Sequence, residues 1–189
     1  MDLVTRAKNI LITPKSEWRV IAGETAEVGG LFKSYVLPMA AIPPVCSFIG
    51  MTVVGFAGFH MGLGGALAVA IVHYVMTLIS VFVAALIASK LAPTFGGQDN
   101  LVQALKLIAF AATASWVGGV FGLIPLLGIL SLLMSLYGLY LLFTGAAVVM
   151  SIPEDRAVGY GVAVIVCTIA VFLILFYLAG SIAGRGMMM

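Results

Sequence analysis

The chain has 189 residues, 63% of them hydrophobic and 8% charged, with a mean hydropathy of +1.23. A water-soluble domain is about one-quarter charged because its surface must be solvated. This composition therefore excludes a soluble enzyme, a nucleic-acid binder and a disulfide-stapled secreted module. The formal net charge of +2 adds no phosphate-tracking surface, since no Lys or Arg cluster accompanies it.

Charge placement says more than charge number. Ser34 to Ser89, Leu107 to Pro153 and Ala157 to Gly184 contain no Asp, Glu, Lys or Arg. A helix needs ~20 apolar residues to cross a bilayer, so these runs hold two, two and one crossings. The expected fold is all-α: a polytopic membrane protein with five transmembrane helices, preceded by a short amphipathic cytoplasmic helical segment.

Residues 1–34 are the only sizeable polar segment, and they read as one or two surface helices with no early hydrophobic core of the signal-peptide kind. Thr13-Pro14 is a helix start, because proline at the first helical position gives up only an unpaired donor. Trp18, Ile21, Ala22, Thr25 and Val28 then recur at spacings of three and four, with Lys15, Glu17, Arg19, Glu24 and Glu27 largely outside that stripe. Leu3, Ala7, Ile10 and Leu11 make a second stripe upstream. Such a stripe lies in the membrane interface, packs on the cytoplasmic ends of the bundle, or receives a partner through Trp18, Ile21, Arg19 and Lys15.

The transmembrane domain is expected over residues 35–180. Its first crossing, at about 36–56, contains Pro38, Pro43 and Pro44, so its entry half should be kinked or partly unwound, with protein neighbours or water satisfying the freed carbonyls. An uncharged turn at Gly58–Gly62 leads to the second crossing, about 65–88, closed by Lys90, Pro93 and the loop Gly96-Gly97-Gln98-Asp99-Asn100. The third, about 105–122, begins beside Lys106, whose ammonium should reach back to the interface. A reversal at Gly122–Pro125 precedes the fourth, about 126–150. Pro153-Glu154-Asp155-Arg156 precedes the fifth, about 159–179, and a short external tail of residues 181–189 follows.

Eight of the nine cations (Arg6, Lys8, Lys15, Arg19, Lys33, Lys90, Lys106 and Arg156) fall on one side of this layout, and Arg185 alone on the other. The positive-inside rule then places the N-terminus in the cytoplasm and, after five crossings, the C-terminus outside. Small residues should bring the helices together, because lipid tails give apolar helices no reason to associate. Ser80, Ala84 and Ala88 on the second crossing are expected to meet Ala111, Ser115, Gly119, Ala114, Gly118 and Gly122 on the third. Self-association through the same spacing is the competing reading.

Candidate chemistry is sparse. No HExxH, no paired carboxylates within the membrane and no Walker-type loop are present. Cys46 and Cys167 sit in apolar stretches without CxxC spacing, so neither a cofactor nor a metal is expected. His73, Thr77 and Ser80 share one face of the second crossing, and Tyr137, Tyr140 and Thr144 align on the fourth. Should these faces meet, they form a polar seam that guides a ligand or lipid headgroup. The alternative is that they satisfy helix carbonyls. A Ser-His hydrolase is disfavoured, because Ser80 lies ~10 Å along the axis from His73.

The order of landmarks resembles a known family. Leu11-Ile12-Thr13-Pro14-Lys15-Ser16-Glu17-Trp18 precedes Tyr35-Val36-Leu37-Pro38. Trp116, Pro125, Tyr137-Gly138-Leu139-Tyr140-Leu141-Leu142-Phe143-Thr144-Gly145, Met150, Pro153-Glu154-Asp155-Arg156-Ala157 and Tyr160 follow. Together they are similar to the bacterial branch of the Yip (Ypt-interacting protein) domain family of five-span membrane proteins. Ser115 and Ala147 depart from it, standing where many relatives carry proline. The absence of a charged residue at mid-span, together with the amphipathic N-terminal segment, points to a non-enzymatic protein of the cytoplasmic membrane whose partners are the lipid bilayer and other membrane proteins or further copies of itself. Eukaryotic relatives engage small GTPases through longer cytoplasmic regions that this chain lacks. The expectation is a scaffold that organises membrane or binds proteins; the alternative is a small transporter, channel or lipid-translocating protein using the seam.

Overall fold

The computed structural model describes residues 2–55 and 60–186, and gives only the backbone for residues 125 and 175–186. Among the described residues every regular element is helical. Two short helices come first, α1 (Leu3–Ile12) and α2 (Pro14–Gly23). Five helices long and apolar enough to cross a membrane follow: a first span over Val28–Val54, a second over Leu63–Phe95, a third over Leu101–Leu123, a fourth over Gly128–Val149 and a fifth from Glu154. The fifth continues as helix to Gly186, so the tail expected at 181–189 is helical over its described part. Phe56 and, from the turn expected at Gly58–Gly62, Gly58 and Phe59 lie outside the described residues.

The third span is the central post. Most of its residues are buried, whereas in the other four spans a third or fewer are. The exposed surface is itself apolar: Val72, Val75 and Ile79 on the second span, Leu132, Leu133 and Leu136 on the fourth, Val162, Val166 and Ile169 on the fifth. Such belts are stable only where hydrocarbon replaces water. The chain is a membrane protein, and the bilayer is its solvent.

Proline breaks the first span as expected. It runs as short α-helical pieces separated by π-helical turns at Phe32–Val36 and Gly50–Val54, with an interruption at Ala41. Pro38 and Pro43 each fall in the first turn of a new piece, where a missing N–H costs little. At the interruption the Ala41 N–H turns to the Met39 carbonyl, and the Leu37 carbonyl accepts a hydrogen bond from the Tyr74 hydroxyl of the second span, 3.0 Å away. A neighbouring side chain thus replaces the bond that a regular helix would make, as hydrocarbon requires.

Small residues do bring backbones together, but between different partners from those expected. Gly118 lies against Met134 of the fourth span, and Gly138 of the fourth span against the Ala111 carbonyl and Ser115. Gly119 meets Pro43 and Gly122 meets Ser47, both on the first span. The small-residue faces of the third span therefore serve the fourth and first spans. The second span does pack on the third, yet its buried positions are Ala66, Val81, Ala85, Ala88, Ser89 and Ala92, while Ser80 and Ala84 are only half-buried. A helix face cannot be assigned to a partner from spacing alone when two neighbours compete for it.

The loop from second to third span is held by its own side chains. Gly96 takes φ +88°, a left-handed conformation that favours glycine and ends the helix. Asp99 accepts from the Lys90 ammonium at 2.6 Å and from the Ser89 hydroxyl, and these bonds hold its carboxyl below the usual carboxylate range. Because that shift is downward, the contact is complete at neutral pH and is lost only as acid protonates Asp99. Asn100 caps the third span, accepting from the backbone N–H of Val102 and Gln103.

Gly50 supplies the tightest approach. A methyl group there would collide with the Gly122 carbonyl, which is backbone and cannot rotate away. Gly50→Ala should therefore destabilise the protein by about 1–3 kcal/mol. Gly128→Ala, where nothing lies within 4 Å, should be neutral or mildly stabilising. Denaturation in mixed micelles compares the two; equal stability would show that the first span and the Gly119–Leu123 turn do not pack backbone on backbone.

Candidate functional site

The polar chemistry of the chain converges where α1 and α2 sit on the bundle. A helix leaves its last four carbonyls without internal partners, and a buried end must find them elsewhere. Lys106 of the third span donates to the carbonyls of Ile21, at 2.9 Å, and Glu24. Gln103, one turn earlier, donates to the Ala22 carbonyl at 3.1 Å. The C-terminus of α2 is thus capped by a span, with a cation where the helix dipole is negative. At the end of α1, the Tyr137 hydroxyl of the fourth span donates to the Leu11 carbonyl at 2.8 Å. The Lys106 ammonium is spent on the end of α2. Lys106 is 2% exposed and points into the N-terminal layer.

A buried ion pair joins the two short helices. Arg6 on α1 donates to Glu17 on α2 at 2.6 Å, with both side chains 6% exposed, and also pairs with Glu24. The guanidinium lies 5.8 Å from the centre of the Phe110 ring. Glu17, expected outside the apolar stripe, is on the buried side because Arg6 awaits it there. Beside this pair, Tyr35 of the first span shares a 2.7 Å hydrogen bond with Thr113 of the third.

Of the residues expected to form a partner face, Trp18 and Ile21 are completely buried within the chain. Trp18 packs on Gly145 of the fourth span, which could not carry even a methyl group there without moving the indole. Lys15 and Arg19, one turn apart on α2, are exposed. The two helices are therefore clamped by an inner face and display an outer one.

The expected polar seam is not assembled. The second and fourth spans pack on the third but not against each other to any extent, so His73 and Tyr140 lie on different flanks. His73 is exposed and lines a cavity with Pro44, Ser47 and Met51 of the first span. Thr77 donates to the His73 carbonyl at 2.8 Å, and Ser80 is half-buried. Tyr140 stacks on Tyr137 with ring centres 5.5 Å apart, and Thr144 donates back to the carbonyls of Tyr140 and Leu141. The hydroxyls of Thr77 and Thr144 thus satisfy their own helices. Among the described residues no group of three or more His, Cys, Asp or Glu side chains is placed to hold a metal ion.

The family model of the Yip1 domain matches residues 8–176. The chain belongs to the Yip1 domain family. The match begins within α1 and ends within the fifth span, so it takes in both the layer and the bundle. No curated protein and no solved structure matches this Yip1-domain chain.

Arg6, Glu17, Lys106 and Gln103 were not singled out by sequence spacing as a site. Lys106 alone carried a signal, a lone cation at the start of a long apolar run. Removing one member of a buried ion pair leaves a charge without compensation and costs about 3–5 kcal/mol, whereas replacing both with apolar groups costs far less. Arg6→Met and Glu17→Leu should each lower the unfolding midpoint strongly, and the double variant should recover much of the loss. Additive losses in a double-mutant cycle would mean that the two side chains do not interact.

Proposed function

We propose that this Yip1-domain protein is a non-enzymatic scaffold of the bacterial cytoplasmic membrane, organising membrane or holding other proteins through its N-terminal layer. One observation carries the reading. The layer is fixed to the bundle through Arg6, Trp18 and Lys106, yet its outer surface keeps Val4, Lys8 and Ile12 exposed in a stripe at four-residue intervals. A rigid, amphipathic strip held at the rim of a bundle suits an amphipathic partner helix or another membrane protein. The titratable side chains best placed for chemistry are engaged in holding helices, which favours a scaffold over an enzyme.

The orientation proposed is N-terminus in the cytoplasm and C-terminus outside. It draws on the contacts that gather α1, α2, Lys106 and the Lys90–Asp99 loop at one end of the bundle, with Arg156 beside Gly96 there. The transport reading has less support, because the second and fourth spans, which carry His73 and Tyr140, do not pack against each other to any extent.

A photo-crosslinking side chain introduced at Lys8 or Ile12 in living cells should give discrete protein adducts, and one at the lipid-facing Leu133 should not. Protein adducts from neither outer-layer position would count against a scaffold. Cysteine labelling at residues 2 and 189 should report opposite sides of the membrane; labelling of both from one side would overturn the orientation.

A further inference from the structure

A cleft of about 460 Å³ opens between α2 and the adjoining ends of the fourth and fifth spans, and the scaffold reading leaves it unused. Its walls bring together charges of both signs. Lys15 and Arg19 line it from α2, Glu154 from the first turn of the fifth span, and Thr144 from the fourth. Phe143, Val148 and Val158 supply its apolar floor.

The charges are present but uncombined. Among the described residues no salt bridge joins Lys15 or Arg19 to Glu154, although all three face one cleft. Thr144 spends its proton on the Tyr140 and Leu141 carbonyls, so toward the cleft it can only accept. Two donor-only cations stand on one wall, and two acceptors stand across from them. From the cleft, Val158, Val162 and Val166 continue along the fifth span as an exposed apolar stripe.

We propose that this cleft binds the headgroup of an amine-bearing glycerophospholipid. Lys15 and Arg19 hold the phosphate, Glu154 and Thr144 accept from the primary ammonium, and an acyl chain follows the valine stripe. The complementarity is specific in sign and in shape. A phosphoglycerol headgroup would satisfy the cations and offer hydroxyls to Glu154, but it brings no positive charge to that carboxylate. A choline headgroup carries no N–H to donate to Glu154 or Thr144. Free phosphoethanolamine offers the same polar contacts without the apolar ones.

The full-length protein in detergent, mixed with phosphatidylethanolamine, phosphatidylglycerol or phosphatidylcholine of identical chains, tests this by native mass spectrometry. Phosphatidylethanolamine should be retained most strongly, and free phosphoethanolamine in excess should not displace it. Lys15→Ala or Arg19→Ala should each weaken retention about fivefold, the loss of one headgroup-contacting cation. Glu154→Gln, an exposed and conservative change, should abolish the preference for the ethanolamine lipid while leaving phosphatidylglycerol bound as well or better. Equal retention of the three lipids, a preference that survives Glu154→Gln, or displacement by phosphoethanolamine would each overturn the proposal. None of these outcomes depends on protein adducts at Lys8 or Ile12, so the cleft and the scaffold stand or fall separately.

Discussion

The end of a helix is a liability wherever water is scarce. Four carbonyls point onward with nothing to accept, and their summed dipole makes the end negative. In this protein two short helices, α1 and α2, end against an apolar bundle, and the spans themselves provide the missing donors. The Lys106 ammonium and the Gln103 amide close α2, and the Tyr137 hydroxyl closes α1. Because Lys106 and Gln103 sit on the third span and Tyr137 on the fourth, the same bonds that finish the short helices fix them to the packed centre of the molecule.

The rest of the layer follows from that attachment. With α2 held at its C-terminus, Trp18 falls over Gly145 and Leu107, where only a glycine leaves space for the indole. Glu17 then turns inward and needs a counter-charge, which Arg6 supplies from α1. A buried pair of this kind gives little net stability over an apolar replacement, but it penalises any docking that separates the partners. It therefore specifies which faces of α1 and α2 turn inward, and by elimination which residues remain outside.

Within the bundle the governing constraint is satisfaction of backbone polar groups in oil. The first span carries its prolines because Tyr74 takes over the Leu37 carbonyl, and because proline falls at the starts of its helical pieces. Glycines let this irregular span approach the end of the third span closely enough to shield both. The two surfaces proposed to act are ones the packing leaves open at the same end of the molecule. One is the outer stripe of α1; the other is the mixed-charge cleft beside Lys15, Arg19 and Glu154.

Hydropathy alone determined that this chain is a five-span membrane protein with a short helical preface, since uncharged runs of such length are soluble only in hydrocarbon. Proline positions determined where the first span breaks, because a missing N–H is a local fact. The motif order was sufficient to suggest the Yip family. The pairing of faces was decided by tertiary structure. Ser115 and Gly118 offer the same small-residue spacing to any neighbour, and only the three-dimensional arrangement gave them to the fourth span. His73 and Tyr140 looked like two halves of one seam, yet the spans that carry them do not pack on each other to any extent. Lys106 was legible as a lone cation at the start of a span, but its acceptors, the Ile21 and Glu24 carbonyls, lie some eighty residues away in the chain. Spacing within a helix records which residues share a face; what that face meets depends on contacts distant in sequence, and these form only when the whole bundle closes.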